Sequence, residues 1–210
     1  MVKPVLNSPA SETLIKEINY YLEMIDLHGL LPVNADLMSA QEDTMISALG
    51  PPMLPLTKTD QPERASALVK ALAQIVTVSK HIVVTGIRPA IASLRDVLDK
   101  VFKSETATGH DFESVLGTEG MLNVRYRNPT SGAPSTKISN HSWGTAIDFK
   151  IVGHSAPGNT GGQIPRFVAV LLPFMNKAGW YSGIGFHDTM HFEVSDGVIR
   201  QWAKDGKFKL

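Results

Sequence analysis

Ser139-Asn140-His141-Ser142-Trp143-Gly144-Thr145-Ala146-Ile147-Asp148-Phe149-Lys150-Ile151-Val152 is the stretch from which the fold reads outward. From Thr145 onward apolar and polar residues alternate. Ile147, Phe149 and Ile151 fall on one side, and Ala146, Asp148 and Lys150 on the other. A period of two marks a half-buried strand, so Asp148 faces away from the Ile/Phe side. Gly144 predicts a turn just before that strand, with His141 at the end of the loop that leads into it.

Further strands are expected at 81–87, rich in β-branched residues, at 121–127, and in two final runs at 180–186 and 191–194. A first helix is capped by Ser8, opens on Pro9, carries the stripe Leu14, Ile15, Ile18, Leu22 and Ile25, and stops at Gly29. A second covers 63–77, with Leu68, Leu72 and Ile75 on one face. A third opens at Pro89 and carries Ile91, Leu94, Val97, Leu98, Val101 and Phe102. A fourth starts at Pro165, is kinked or split by Pro173 and ends at Gly179, and a short one covers 198–204. Residues 30–62 contain five prolines and no sustained period, which reads as a long ordered loop or a boundary. The polar stretch 128–137 is a loop. No regular βα alternation and no Gly-rich phosphate loop is present, so the expected class is α+β, a small antiparallel sheet flanked by helices.

The chain has 210 residues, enough for one domain with an extension: residues 1–62 packed on a core of 63–210, one globular unit overall. Its 20 Lys+Arg balance 20 Asp+Glu, which argues against a nucleic-acid binder that depends on a basic field. It has no cysteine, which excludes disulfides, a thiol nucleophile, thiolate zinc sites and iron–sulfur clusters. No run of 18 apolar residues predicts a membrane span. Residues 1–9 carry a charge but no continuous apolar stretch behind it, which predicts a chain made without a secretory signal peptide.

Four of the seven histidines lie between 141 and 191, three of them in two dense polar motifs. The second motif is His187-Asp188-Thr189-Met190-His191-Phe192-Glu193. His141, Asp148 and His191 can supply two imidazoles and a carboxylate, a hydrolytic metal set that leaves a fourth position for water. Asp188 sits three residues before His191, in the loop preceding its strand. From there it can act as general base and then as proton donor to a leaving amine. Glu193, two residues after His191 on the same strand face, can accept the second N–H of an imidazole ligand and fix its tautomer. Each histidine alone reads more plainly as an exposed or hydrogen-bonded core residue. That is the reading for His28, His81, His110 and His154, while His187 flanks the motif or simply faces solvent.

The pattern Ser139-x-His141-x-x-Gly144-x-Ala146-x-Asp148, followed by Asp188-x-x-His191-Phe192, resembles peptidase family M15. These zinc D,D-peptidases include D-alanyl-D-alanine carboxypeptidases, D-Ala-D-Ala dipeptidases and the L-alanyl-D-glutamate peptidases of phage endolysins. They share a fold with hedgehog signalling domains. The resemblance spans roughly residues 80–195 and implies a hedgehog/DD-peptidase-like fold. It implies one Zn2+ held by His141, Asp148 and His191, with Asp188 as catalytic base and Ser139 as a substrate or loop contact. It also implies an upstream Arg for a substrate carboxylate or oxyanion. Arg88, in Gly86-Ile87-Arg88-Pro89, is the first candidate and Arg125 the second, with Arg127 a solvated strand residue. Met190 stands where relatives often have Trp or Pro, and Asp at 188 resembles the endolysin branch more than the Glu of many relatives.

The implied activity is hydrolysis of peptide bonds in peptidoglycan stem peptides. The alternatives are a D,D-carboxypeptidase or dipeptidase trimming D-Ala termini, and a non-catalytic zinc module that binds a wall fragment or partner. The absence of a leader points to a cytoplasmically made enzyme that reaches the cell wall after lysis or through a delivery or targeting partner. No nucleic acid is expected as a partner.

Overall fold

The computed structural model describes residues 9–28, 32–52, 67–127, 135, 137–155 and 162–209. In chain order the elements are α1 (Pro9–Leu22), β1 (Met24–Asp26), α2 (Glu42–Leu49), α3 (Ala67–Leu72), β2 (Ala73–Ser79), β3 (Ile82–Ile87), α4 (Arg88–Ala107) and β4 (Leu116–Gly120). They continue with β5 (Ala146–Ile151), β6 (Gln163–Pro165), α5 (Arg166–Lys177), β7 (Trp180–Ser182), β8 (His191–Val194) and α6 (Asp196–Lys204). Three antiparallel sheets result: the four strands β4-β5-β8-β7, the hairpin β2-β3 and the pair β1-β6. The class is α+β, as the sequence implies. Among the described residues no helix is long and apolar enough to cross a membrane.

The four-stranded sheet positions the site. Ile147, Phe149 and Ile151 of β5, with Phe192 and Val194 of β8, are buried on its core face, together with α5 residues Phe167, Val168, Leu171 and Met175. The opposite face carries Ala146, Asp148, His191 and Glu193, since side chains two apart share a face. The strand expected at 145–152 is thus β5, and its polar side carries the candidate ligand Asp148.

Several expectations are corrected. The first helix ends at Leu22, and Ile25 lies in β1. Leu14 and Ile15 are exposed while Tyr21 is fully buried, so the apolar stripe is rotated from the one read. Ser8 and Gly29 lie outside the described residues. The stretch 30–62 contains a helix, α2, which buries Met45 and Leu49. The helix expected to 77 stops at Leu72, where Ala73-Gln74-Ile75-Val76-Thr77-Val78-Ser79 turns into a strand paired with β3. β-Branched side chains favour the pleated surface, and Ile75, expected inside, is 78% exposed.

Residues 121–127 form no strand. Their backbone follows 137–142 in an antiparallel path, with Asn123 N–H donating to His141 C=O at 3.0 Å and Arg127 N–H to Lys137 C=O at 2.8 Å. The ladder is broken where the partner coils into a 3-10 turn, and there the Ser142 hydroxyl accepts from Arg125 N–H in place of a carbonyl. Pro173 lies, partly buried, inside an α5 that stays continuous instead of splitting there. Residues 183–186 leave the strand of β7 as a 3-10 turn.

Candidate metal centre

His141 lies in the 3-10 turn Asn140–Trp143, which Gly144 ends in the left-handed conformation at φ +65°. A side chain at Gly144 would place Cβ 2.9 Å from Gly86 Cα and 3.2 Å from Ile87 N. Only glycine lets the end of β3 approach this closely, and Ile87 N–H donates to Gly144 C=O at 3.2 Å. The chain then enters β5, where Asp148 stands directly opposite His191 of β8. Opposed residues on one face of an antiparallel pair project side by side, so the pairing register brings carboxylate and imidazole together.

The three donor atoms form a small triangle. His141 Nε2 lies 3.2 Å from Asp148 Oδ1 and 3.2 Å from His191 Nδ1, and His191 Nδ1 lies 2.9 Å from Asp148 Oδ1. Their far sides set the tautomers. His141 Nδ1 faces the Met121 carbonyl at 2.7 Å, which can only accept, so Nδ1 carries the hydrogen and Nε2 the lone pair. His191 Nε2–H donates to Glu193 Oε2 at 2.9 Å, leaving the Nδ1 lone pair turned inward. Two imidazole lone pairs and a carboxylate therefore converge with no donor among them, which calls for a cation.

The donor set and spacing fit a tetrahedral divalent ion. Ligand bonds of about 2.0–2.2 Å give ligand–ligand edges of about 3.3 Å, close to those present, and three protein ligands leave one position open. Among the described residues this is the one cluster of three or more His, Cys, Asp or Glu side chains that could hold a metal. His141 and His191 are buried, and Asp148 is partly exposed, so the cluster opens to solvent on its side.

Electrostatics agree with the geometry. Burial pushes the Asp148 carboxyl up, but in the metal-free site a proton shared with the His141 and His191 rings outweighs it and holds it far below the carboxylate range. Burial pulls His191 down, yet its bonds to Asp148 and Glu193 raise it to about 10 when no metal competes. Glu193 is buried but lowered by His191, Ser39 and Asn140. Asp188 is raised, first by desolvation and then by Asp148, against the pull of His191, His141 and Arg125.

Asp188 follows a tight turn. His187 takes φ +64°, Asp188 N–H donates to Gly183 C=O at 3.0 Å, and His191 N–H donates back to Asp188 C=O at 3.2 Å. The residue is exposed overall, with its carboxyl partly desolvated and within electrostatic reach of all three candidate ligands. A β-bulge after Thr118 bends the edge strand β4. The cavity there, of about 160 Å³, is lined by Glu119, Asn123, Arg125, His141 and Asp148. Arg125 thus shares the cavity with two candidate ligands. Arg88 opens α4, exposed, and is not part of that wall. Ser139 is buried at the start of the 3-10 turn, with its N–H donating to Arg125 C=O at 3.0 Å, also outside the cavity wall. Arg127 points elsewhere, its Nε donating to Ile138 C=O. Two contributors went unread in the sequence, the Met121 carbonyl and the Ser39 hydroxyl, which donates to Glu193 Oε1. Neither belongs to a motif that could have signalled it.

Comparisons of the chain with curated proteins and with solved structures returned no match. A family model described as D-alanyl-D-alanine carboxypeptidase matches residues 133–194, which include His141, Asp148, Asp188, His191 and Glu193. The segment that builds this centre, under a third of the chain, is thus similar to that family of peptidases.

Proposed function

We propose that the chain is a zinc-dependent peptidase that hydrolyses peptide bonds in peptidoglycan stem peptides. The convergence of the His141, Asp148 and His191 donor atoms, with both imidazole tautomers set by outer partners, carries this reading. When bound, zinc supplies a Lewis acid that polarises the scissile carbonyl and acidifies a water. Asp188 takes the proton as the water oxygen attacks the carbonyl carbon, then delivers it to the amide nitrogen as the C–N bond breaks. Its raised pKa makes it a better base than an ordinary surface carboxylate. Arg125, in the cavity wall, donates to the developing oxyanion or pairs with a substrate carboxylate. Arg88 would need to reach in from the exposed end of α4, so Arg125 is the better placed of the two. Ser139 braces the turn that carries His141.

A second reading, trimming of a terminal D-Ala, is favoured by the description of the matching family model and by a single guanidinium beside the ligands that suits a free carboxylate. Incubation with defined stem peptides, followed by mass spectrometry of the new termini, separates the two. Internal cleavage supports the first, loss of only the last residue the second, and no product under zinc overturns both.

A further inference from the structure

Besides Met121, one residue outside the matched segment reaches the centre's supporting shell through its side chain. Ser39, in the stretch before α2, donates its hydroxyl hydrogen to Glu193 Oε1 across 154 positions of sequence. Glu193 in turn accepts from His191 Nε2 through its other oxygen, Oε2. The backbone around Ser39 is tied to the same region from several sides. Asp196 N–H donates to Met38 C=O at 3.0 Å, Gln41 N–H to Asp196 Oδ1 at 3.1 Å, and Asn140 Nδ2 to Ala40 C=O at 3.3 Å. Further along, Ile138 N–H donates to Glu42 Oε2, and Trp143 Nε1 to Gly50 C=O at 2.8 Å. The stretch 38–50 therefore clasps both the turn that carries His141 and the strand that carries His191.

We infer that Ser39 is a positioning residue of the metal centre, acting through Glu193 on His191. This rests on the reading of His141, Asp148 and His191 as metal ligands. A buried carboxylate with one oxygen unanchored can rotate about its terminal bond and swing the other away from His191. The Ser39 hydroxyl restricts that freedom by donating to Oε1, alongside the hydrogen bond from Asn140. Oε2 then stays on the Nε2–H of His191, which keeps the ring oriented with the Nδ1 lone pair aimed inward. The N-terminal stretch is in this way part of the centre, although it carries none of its ligands.

The test is zinc affinity of the full chain, read by competition with a chromogenic chelator at fixed pH, with circular dichroism as the check on folding. Ser39→Ala is expected to weaken zinc binding by about 10-fold, the lower end of what loss of an outer-shell partner produces. Ser39→Thr, which keeps the hydroxyl, is expected to retain most of the affinity. In a Glu193→Gln background, Ser39→Ala is expected to add nothing further, because both changes break one chain of bonds. Wild-type affinity in Ser39→Ala, or an equal loss in both backgrounds, overturns the inference. A wild-type chain that takes up no zinc overturns the metal reading itself, and this inference with it.

Discussion

His141 Nε2 and His191 Nδ1 lie 3.2 Å apart, and each ring's other nitrogen is already committed, one to the Met121 carbonyl and one to Glu193. Two neutral imidazoles so held face each other lone pair to lone pair, with Asp148 Oδ1 beside both. Such an arrangement is stabilised by a proton or by a metal ion. Competition between the two governs much of the expected behaviour.

In metal-free protein the proton occupies the site, and the linkage has a definite sign. The folded pKa of His191, about 10, lies above its ordinary 6.5. Its contribution is fully present below pH 6.5 and is lost as pH rises towards 10. Asp148 and Glu193 are depressed in the fold, so their contribution is present above their ordinary values of 3.8 and 4.5 and lost as pH falls below them. Calorimetry in chelator is expected to show greatest stability between about pH 4.5 and 6.5, declining on both sides. Zinc needs His191 neutral, so the stabilisation it adds is expected to grow with pH, and a pH-independent gain would contradict the shared site.

Asp148→Asn removes the charged ligand and leaves a weaker donor that can turn its amide hydrogens inward. The loss of zinc affinity is expected to exceed the roughly 10–100-fold typical of outer-shell changes. The same competition assay reads it.

Asp188→Ala is expected to bind zinc as the wild type does, because Asp188 is absent from the triangle of donors. Hydrolysis is expected to fall by about 10²–10⁴-fold, the range for loss of a general base. Equal turnover in the variant would remove Asp188 from the mechanism.

Gly144→Ala combines a left-handed backbone with a Cβ pressed against the backbone of Gly86 and Ile87. The cost is expected to be on the order of 2–4 kcal/mol, read from urea unfolding of metal-free protein. Neither neighbouring backbone can yield without displacing β3 or the turn that carries His141.

The meeting of the three candidate ligands was more legible in the sequence than the fold. His141, Asp148 and His191 announce themselves because a metal restricts ligand chemistry to few residue types, and a turn followed by an alternating strand sets their spacing. The fate of 73–79 was harder to read. Leu68, Leu72 and Ile75 satisfy helical spacing, and only pairing with β3 makes the β-branched run a strand. The role of Ser39 had no local signature at all, since its partner lies on the far side of the chain. Arg125 could be ranked above Arg88 only once the bulge in β4 and the cavity beside it were seen. Local pattern carries ligands and strands, while tertiary closure decides which polar groups meet.

The most direct measurement is hydrolysis of a defined stem peptide by metal-free protein titrated with zinc. The expected result is cleavage that is absent in chelator, rises with added zinc and levels off at one equivalent per chain. Failure to cleave at any zinc level, or cleavage indifferent to chelator, would contradict a zinc peptidase built on His141, Asp148 and His191.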